Sequence, residues 1–490
     1  MNFLIDTNIV IPLEPATHVD LAINTDLAIK FHKLVLMSES TIFIHPSIAE
    51  DLKRDKVSER RELRKTLINK YQYLKSPPSV SLLDSTIVGK PEFGSNNWVD
   101  NSLLAALKGD LVDYLVTEDI GIHKKAKRLN IESRVLLLLD AVELIKDLFD
   151  KTPSPPPTVT NKYVYEVDTT DLIFNSLRED YLGFDEWLVK CKRSQRRAYI
   201  VSPANRDEVA AIAILKREDS LPNGKEGKVL KICTFKVSPD FGGNKMGELL
   251  LKTLFDYLAV NKYEFAYFTT YEKQDHLIEF VKDFGFQKIK NNHSSEEIAF
   301  CKYLKYDHDD IDSYDSFDFH LKFGPRVTSF KGNSTFIIPI KPMYHNILFP
   351  ELERQKSLFP DIQPCGNSIR KAYLSHSPSN KIKRGDNIVF YRSHDLKAVT
   401  CLGIAEDTFR SEQANEIAQY VGRRTVYTYS TIKEMCSKPV LAVKFRIVCP
   451  FSETISLQKL RQHGIVKGQP QSITQISTES AEWLKHQLAM

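Results

Sequence analysis

The sequence contains no C-x-x-C pair, and its seven cysteines stand singly along 490 residues. This spacing argues against a zinc ribbon and against a disulfide framework, and it predicts reduced thiols in a cytoplasmic protein. The chain also has no apolar run of roughly 18 residues and no basic start followed by an apolar stretch. We therefore expect neither a membrane span nor a secretory leader.

The sequence also has no strong excess of one charge. Lys and Arg number 67 against 63 Asp and Glu, so the net charge of +4 is weak evidence for any partner. The hydrophobic content of 42% and the charged content of 27% are typical of a globular protein. A chain of this length exceeds one ordinary core, and two to four domains are expected.

Two segments have the composition of linkers. Residues 151–162, KTPSPPPTVTNK, contain four prolines, which disfavour both helix and strand pairing. Residues 306–335 begin with the acidic stretch YDHDDIDSYDSFDF. These linkers predict three domains at 1–150, 163–305 and 336–490.

The first predicted domain alternates short apolar strands with helices. The expected strands are 3–6, 41–45, 114–117 and 134–138. The expected helices are 50–75 and 100–109, the latter with Asp100 as its cap. This alternation favours a parallel sheet covered by helices.

Carboxylates stand where these strands end or helices begin, and they are Asp6, Glu50, Asp100 and Asp119. Ligands of an open parallel sheet bind beyond the carboxyl ends of its strands. Several acids at close range need a cation between them, and oxygen ligands suit Mg²⁺ or Mn²⁺. Asp51 is an alternative to Glu50, and helix capping or solvation remains an alternative role for Asp6, Asp100 and Glu50.

The segments that carry these acids, DTN at 6–8, SIAED, VDNSLLAAL and VTED, resemble the four motifs of the PIN nuclease domain. The resemblance covers about the first 140 residues. It implies a metal-dependent ribonuclease with Asp6, Glu50, Asp100 and Asp119 as metal-binding and catalytic acids. Thr7, Asn8 and Thr117 fall where the family orients the metal site.

Basic residues follow Asp119 directly, and we expect four of them to contact RNA phosphates: Lys124, Lys125, Lys127 and Arg128. The many cations of 50–75 alternate with acids and predict an ordinary solvated helix face.

In the second predicted domain, the stretch FKVSPDFGGNKMGELLLKTLFDYL at 235–258 reads as a strand, a glycine-containing turn and a helix that begins near Gly247. A helix N-terminus reached through such a turn offers free backbone N–H groups to a pyrophosphate. The pattern resembles the GNAT acyltransferase family over roughly 163–305. The resemblance implies acetyl-CoA binding at Val237, Gly242, Gly243, Asn244, Lys245, Met246 and Gly247.

The second domain departs from the GNAT pattern in two places. Gly242 and Lys245 replace the usual first residue and central glycine of the phosphate loop, and Val281 stands where a tyrosine often acts as general acid. Backbone N–H donors survive the loop changes. Proximity alone gives Tyr271, Glu272 and His276 as candidates for proton transfer.

The third predicted domain is rich in turns and β-branched segments, which favours a small barrel. The stretch KIKRGDNIVFYRS and the strand after it resemble the PUA-like superfamily, which includes ASCH and EVE domains. The resemblance implies RNA binding, with Lys383, Arg384 and an exposed Tyr391–Arg392 pair as contacts. The alternative is that Tyr391 belongs to the core and Arg392 is solvated.

The sequence thus predicts an α/β multidomain protein with a PIN-like parallel sheet, a GNAT-like α+β fold and a PUA-like β-barrel. The first hypothesis is an Mg²⁺- or Mn²⁺-dependent ribonuclease. Its domain order resembles toxins of toxin–antitoxin or antiphage systems, which implies RNA and an antitoxin protein as partners. The alternative is an acetyl-CoA-dependent N-acetyltransferase with the PIN-like region as a scaffold, and a third hypothesis is a non-enzymatic RNA-binding regulator. Homo-oligomerisation stays open.

Overall fold

The computed structural model describes residues 1–14, 24–38, 40–149, 157–203, 208–238, 241, 244–292, 296–352 and 364–488. The chain folds into two compact units. The first contains Met1–Thr152, Ser411–Arg423 and Tyr427–Ser437, and the second contains Pro153–Arg410, Arg424–Val426 and Lys438–Met490. All seven cysteines are free thiols. Within the described ranges, every helix is too short or too polar to cross a bilayer.

The first unit is built on a parallel sheet with the strand order β3-β2-β1-β4-β5. Its strands are β1 Asn2–Ile5, β2 Thr41–Ile44, β3 Gln72–Tyr73, β4 Tyr114–Val116 and β5 Val135–Leu136. Its N-terminal helices are α1 Thr7–Leu13, α2 Thr25–Met37, α3 Ile48–Lys53, α4 Ser58–Ile68, α5 Ser85–Val88, α6 Asn96–Lys108, α7 Ile120–Arg128 and α8 Leu138–Phe149. The predicted parallel sheet and its four strands are confirmed.

The central strand β1 is apolar throughout because helices cover both faces of the sheet. Phe3 and Ile5 pack into one core with residues of α2 and α8, whereas Leu4 packs into another with residues of α6 and α7. The alternation of side chains along a strand produces this division. It also leaves Asp6 at the carboxyl end of the central strand.

The predicted single helix over 50–75 is wrong, because this segment forms two helices, α3 and α4, with a non-helical connection between them. The side chain of Asp55 accepts a hydrogen bond from the backbone N–H of Val57 and pairs with Arg60 and Arg64. The Asp55 carboxylate takes the N–H of Val57 that a continuous helix would use for its own hydrogen bonding, so α3 ends and α4 begins after it. Asp100 is likewise not a cap, since α6 begins earlier and the hydroxyl of Ser95 accepts from Trp98 N–H.

The second unit begins with a seven-stranded sheet in the order β11-β12-β10-β9-β8-β7-β6. The strands are β6 Thr158–Tyr163, β7 Arg197–Ser202, β8 Ala211–Ser220, β9 Glu226–Val237, β10 Phe265–Thr270, β11 Gln287–Ile289 and β12 Ile298–Tyr303. The helices are α9 Asn175–Asp180, α10 Phe184–Arg193, α11 Met246–Val260 and α12 Asp275–Lys282. Neighbouring strands are antiparallel, except that β9 and β10 are parallel.

A six-stranded sheet follows in the order β14-β17-β16-β15-β13-β18. Its strands are β13 Thr335–Ile340, β14 Arg370–Ser375, β15 Asn387–Arg392, β16 Ala398–Ser411, β17 Val440–Ser456 and β18 Thr474–Ile476. The helices of this part of the second unit are α13 His308–Ser313, α14 Ser316–Phe323, α15 Pro342–Leu348, α16 Pro364–Asn367, α19 Leu457–Gln462 and α20 Thr478–Lys485. The chain between β16 and β17 forms two further helices, α17 Ala414–Val421 and α18 Tyr429–Met435. The strand order has two ends, so the predicted closed barrel is not shown.

The predicted domain boundaries stay predictions, but two structured segments fall inside the predicted linkers. The strand β6 lies within 151–162 except for its last residue, Tyr163, and the helices α13 and α14 lie within 306–335. The aromatic side chains of α14 are buried, and Lys302 of β12 donates to the carbonyl of Leu321 at 2.5 Å. The helices α17 and α18 belong to the first unit, where Gln419 donates to Asp113 at 3.0 Å.

Gly285, between α12 and β11, is required by its backbone and by its surroundings. Its φ is +83°, and an added Cβ would lie 1.7 Å from the carbonyl oxygen of Leu321. We expect Gly285→Ala to lower the free energy of unfolding by more than about 3 kcal/mol, measured by urea denaturation. Gly224 is the matched control, because its φ is +88° with nothing within 4 Å of an added Cβ. Gly224→Ala should cost about 1 kcal/mol, and equal losses would contradict the contact with Leu321.

Candidate functional site

The parallel strands β9 and β10 pair only over their first residues. Their register joins Phe265 to Val229, Ala266 to Leu230 and Tyr267 to Lys231. Beyond Lys231, β9 continues to Val237, and beyond Tyr267, β10 continues to Thr270. The two strands therefore part, and the facing backbone groups of both are released from ladder pairing in the middle of a sheet. Such groups need another partner.

A β-bulge lies in β9 just where this cleft opens. Ile214 pairs with Thr234 and Leu215 pairs with Ile232, so Cys233 has no opposite residue in β8. A bulge bends its strand and increases the local twist, and this one lies just beyond the last residue of β9 that pairs with β10. The sequence carries no signal of this bulge, since it is defined by strand register alone.

The chain after β9 continues into α11. Of the predicted cofactor-binding residues, Val237 ends β9, Asn244 and Lys245 precede α11, Met246 and Gly247 begin it, and Gly242 and Gly243 lie outside the described residues. Lys245 has φ +58°. A Cβ on Gly247 would lie 3.3 Å from Cγ2 of Val237, so glycine lets the helix start close to the strand. The first N–H groups of α11 have no intrahelical acceptor.

Two stacked tyrosines lie beyond the end of β10. The rings of Tyr181 and Tyr271 are 5.0 Å apart at 27°. Burial raises the pKa of Tyr181, with the charge of Glu297 adding to the effect, so this phenol stays protonated at neutral pH. Tyr181 was missed by sequence reasoning because it comes from the chain before α10, about 90 residues away from Tyr271 along the sequence.

The other candidates for proton transfer differ in position. Val281 is buried in the core beside α11, so no hydroxyl stands at that place of α12. Glu272 and His276 are exposed. Lys236, near the end of β9, is half-buried, and burial lowers its pKa while Asp180 and Glu179 oppose the change.

A second candidate site lies at the carboxyl end of β1. Asp6 is 7% exposed. Its carboxylate accepts hydrogen bonds from Thr7 N–H at 2.6 Å, Thr117 Oγ1 at 2.6 Å and Asn8 Nδ2 at 2.7 Å. Burial nevertheless raises the pKa of Asp6 to about 6, and the carboxylates of Asp51 and Asp100 add to the rise. The positions predicted for Thr7, Asn8 and Thr117 therefore do surround Asp6.

The other acids each have a partner of their own. Asp51, the alternative to Glu50, accepts from Thr7 Oγ1 at 2.7 Å, while Glu50 pairs with Lys53 at 2.7 Å. Asp100 pairs with Lys125 at 3.2 Å; burial raises its pKa, against the charge of Lys125. Asp119 caps α7 through Ile122 N–H at 3.1 Å.

These acids do not form a ready cation site. In the part of the chain that the structure describes, no group of three His, Cys, Asp or Glu side chains is arranged to hold a metal ion. The electrostatic links among Asp6, Asp51, Asp100 and Asp119 place them in one neighbourhood. Their oxygens accept hydrogen bonds from separate protein donors, among them Thr117, Asn8 and Lys125, instead of converging on one centre.

The predicted RNA contacts fall into two groups. On α7, Lys124, Lys127 and Arg128 are exposed, whereas Lys125 is largely buried against Asp100. On the six-stranded sheet, Lys383 is exposed, and Arg384 pairs with Asp315 and Asp318 at 3.2 and 2.6 Å.

The prediction of an exposed Tyr391–Arg392 pair is wrong. Tyr391 is fully buried in the core of the six-stranded sheet, because β15 lies between β13 and β16 and its faces are covered. Arg392 pairs with Asp395 at 2.6 Å, with 14% of its side chain exposed. The alternative that placed Tyr391 in the core describes this residue.

Comparison with known proteins identifies one part of the chain. Residues 161–286 match the model of the Acetyltransferase (GNAT) family, which makes this segment a GNAT acetyltransferase domain. The segment contains β9, β10 and α11, and it ends next to Gly285. No curated protein matches the chain, and the family model does not extend to the predicted PIN-like domain.

Solved structures similar to parts of the chain include ASCH from Zymomonas mobilis, at 14% identity and a TM-score of 0.25, over 31% of this chain and 94% of that one. A GNAT family acetyltransferase from Elizabethkingia anophelis with acetyl-CoA bound has 13% identity and a TM-score of 0.24, over 30% and 98%. An acetyltransferase from Streptococcus agalactiae has 14% identity and a TM-score of 0.24, over 30% and 98%.

The raised pKa of Asp6 predicts a pH dependence of folding. The folded state binds this proton more tightly than the unfolded chain, because the pKa rises from 3.8 to about 6. The stabilisation is thus present below pH 3.8 and is lost as the pH rises through about 6. We expect Asp6→Asn to gain on the order of 1 kcal/mol in unfolding free energy over the native chain at pH 7, but not at pH 4. Urea denaturation at both pH values measures this, and a constant difference would contradict the raised pKa.

Proposed function

We propose that the GNAT segment transfers an acetyl group from acetyl-CoA to an amine. The observation that carries this proposal is the parting of β9 and β10 after Lys231 and Tyr267. An extended chain with amide groups, such as the pantetheine arm of acetyl-CoA, can take the place of the missing strand by hydrogen bonding to the released backbone of β9.

The turn before α11 suits the other end of the same molecule. The backbone N–H groups of Met246 and Gly247 stand at the positive end of a helix dipole, which favours a pyrophosphate. The side chain of Lys245 adds a cation there. Lys245 has the left-handed backbone conformation that glycine adopts readily. The lysine can therefore stand at the position of the family's glycine with the same backbone conformation.

In the reaction, the neutral amine nitrogen attacks the thioester carbonyl carbon. The C–N bond forms, the C–S bond breaks, and the departing thiolate takes a proton from a donor in the site. The attacking nitrogen releases one proton as it becomes the amide, and this proton restores the donor. Tyr181 and Tyr271 lie at the open end of β10, and Tyr181 is protonated at neutral pH. We assign the proton donation to this tyrosine pair, in place of the hydroxyl that Val281 lacks.

Isothermal titration calorimetry with acetyl-CoA tests the proposal. Lys245→Glu should weaken binding about tenfold, because a carboxylate would face the pyrophosphate. Lys245→Gly should be tolerated, since the N–H donors remain.

The matched control is Lys262→Glu, because Lys262 is exposed, has φ +53° and follows the other end of α11. This variant should bind acetyl-CoA as the native chain does. Absence of binding heat for the native chain would overturn the proposal, and equal losses in the two charge reversals would remove the turn from the site.

A second candidate is metal-dependent cleavage of RNA by the first unit, and one observation favours it. Asp6 is buried with a pKa raised to about 6, next to the charges of Asp51 and Asp100, and a divalent cation would relieve this repulsion. The arrangement of the acids does not fit a cation as it stands, because Lys125 and Arg54 hold two of the carboxylates. The candidate requires these two side chains to release them.

Incubation of the purified chain with cellular RNA and Mn²⁺ or EDTA tests the second candidate. Asp6→Asn and Asp119→Asn should abolish cleavage while the chain stays folded, and Asp26→Asn, an exposed acid of α2, should not. The cations Lys124, Lys127 and Arg128 are the proposed phosphate contacts on α7. If Asp6→Asn cleaves RNA at the native rate in Mn²⁺, the acids at the end of β1 are not the site.

A further inference from the structure

Glu248 is an unusual residue for the start of α11. It lies in the first turn, three residues after Lys245, and it is 4% exposed. A buried carboxylate is costly unless it is paired. A carboxylate next to a turn that receives a pyrophosphate would in addition repel that ligand. Glu248 therefore needs partners that cancel its charge.

All of those partners except Lys245 come from the last third of the chain. One oxygen of Glu248 accepts from the backbone N–H of Ile369 and of Arg370, at 2.9 and 3.3 Å. The other accepts from the guanidinium of Arg424 at 3.2 Å and lies 3.9 Å from Nζ of Lys245. Arg424 also donates to the carbonyl of Arg370 at 3.0 Å, which fixes its orientation.

The pKa of Glu248 agrees with this geometry. Burial alone would raise it, but the cations Arg424, Lys245 and Arg370 outweigh burial and lower it to about 2. Glu248 is consequently ionised at every physiological pH. Arg424 is the largest of these cationic contributions and donates directly to the carboxylate, whereas Lys245 is the more distant cation.

The same part of the chain also forms hydrogen bonds with the residue before Lys245 and with the second turn of α11. Nδ2 of Asn367 donates to the carbonyl of Asn244 at 3.1 Å, and Nζ of Lys252 donates to the carbonyl of Gly366 at 3.1 Å. Residues 366–370 therefore contact the chain before α11, its first turn and its second turn. The GNAT fold and the six-stranded sheet share this interface within one unit.

We propose that Arg424 is a positioning residue for the acyl-CoA phosphate site, acting through Glu248, so that residues beyond the GNAT segment complete that site. The proposal rests on the acetyl-CoA binding proposed above. Arg424 cancels the charge of Glu248 and lets the N-terminus of α11 present a net positive potential to the pyrophosphate. Binding of acetyl-CoA and the packing of residues 366–370 and 424 are then thermodynamically linked.

An ordinary interface arginine would give a different pattern of mutant effects. The loss of such a residue weakens packing whatever the charge of its partner. The loss of Arg424 instead leaves an unbalanced carboxylate, and removal of that charge should restore binding. Arg326 provides the comparison, since it pairs with Asp256 near the far end of α11 at 2.7 Å.

Calorimetric titration of the full chain with acetyl-CoA, at pH 7.5 (about one unit above the usual histidine pKa), tests the proposal. Arg424→Ala should raise the dissociation constant at least about tenfold. The double variant Arg424→Ala/Glu248→Gln should bind within about threefold of the native chain, and Arg424→Lys should recover part of the loss. Arg326→Ala should bind as the native chain does.

A second readout is pH. As the pH falls and Glu248 takes up its proton, Arg424→Ala should regain affinity relative to the native chain measured at the same pH. If Arg424→Ala does not fold, Arg424→Lys and the double variant carry the same comparison.

Three results would overturn the inference. Native affinity in Arg424→Ala would do so while acetyl-CoA binding stands. An equal loss in the single and double variants would reduce Arg424 to an interface residue. No binding by the native chain would overturn the proposed function together with this inference.

Discussion

Strands β9 and β10 stop pairing after Lys231 and Tyr267, and the GNAT part of the second unit is arranged around that parting. Backbone groups in the middle of a sheet require partners, and the proposed acetyl-CoA would supply them through the amide groups of its pantetheine arm. The bulge at Cys233 bends β9, α11 follows β9 along the chain, and the stacked tyrosines lie beyond the end of β10. If the two strands paired along their whole length, β9 would have no released backbone groups for the proposed ligand to bind.

Two buried carboxylates show how the surroundings of a residue set its chemistry. Asp6 and Glu248 both lie at the N-terminal end of a helix that follows a strand. Neutral donors and other carboxylates surround Asp6, and its pKa rises to about 6. Cations surround Glu248, and its pKa falls to about 2. A proton or a cation would relieve the repulsion at Asp6, whereas cations of the protein itself already offset the charge of Glu248.

Local sequence patterns located most of the strands but not the interruptions. The apolar runs at 3–6, 41–45 and 114–117 became β1, β2 and β4, because an apolar run next to a turn has few other solutions in a covered parallel sheet. The single helix expected over 50–75 is wrong because the side chain of Asp55 accepts a hydrogen bond from the backbone N–H of Val57 and interrupts it. The expected exposure of Tyr391 is wrong because the local sequence does not record the neighbouring strands β13 and β16, which help to bury it.

The sequence by itself determined the GNAT pattern of strand, turn and helix around Lys245, the acid at the end of β1 and the absence of a disulfide framework. These are properties of a few consecutive residues or of simple spacing. Tertiary structure alone decided that the carboxylate of Asp51 helps to raise the pKa of Asp6. It also decided that Tyr181 stacks on Tyr271 and that Arg424 donates to Glu248, 176 residues away along the chain. The physical reason is that pairing, burial and charge balance depend on groups that are distant along the chain, and no local pattern records which of them will meet.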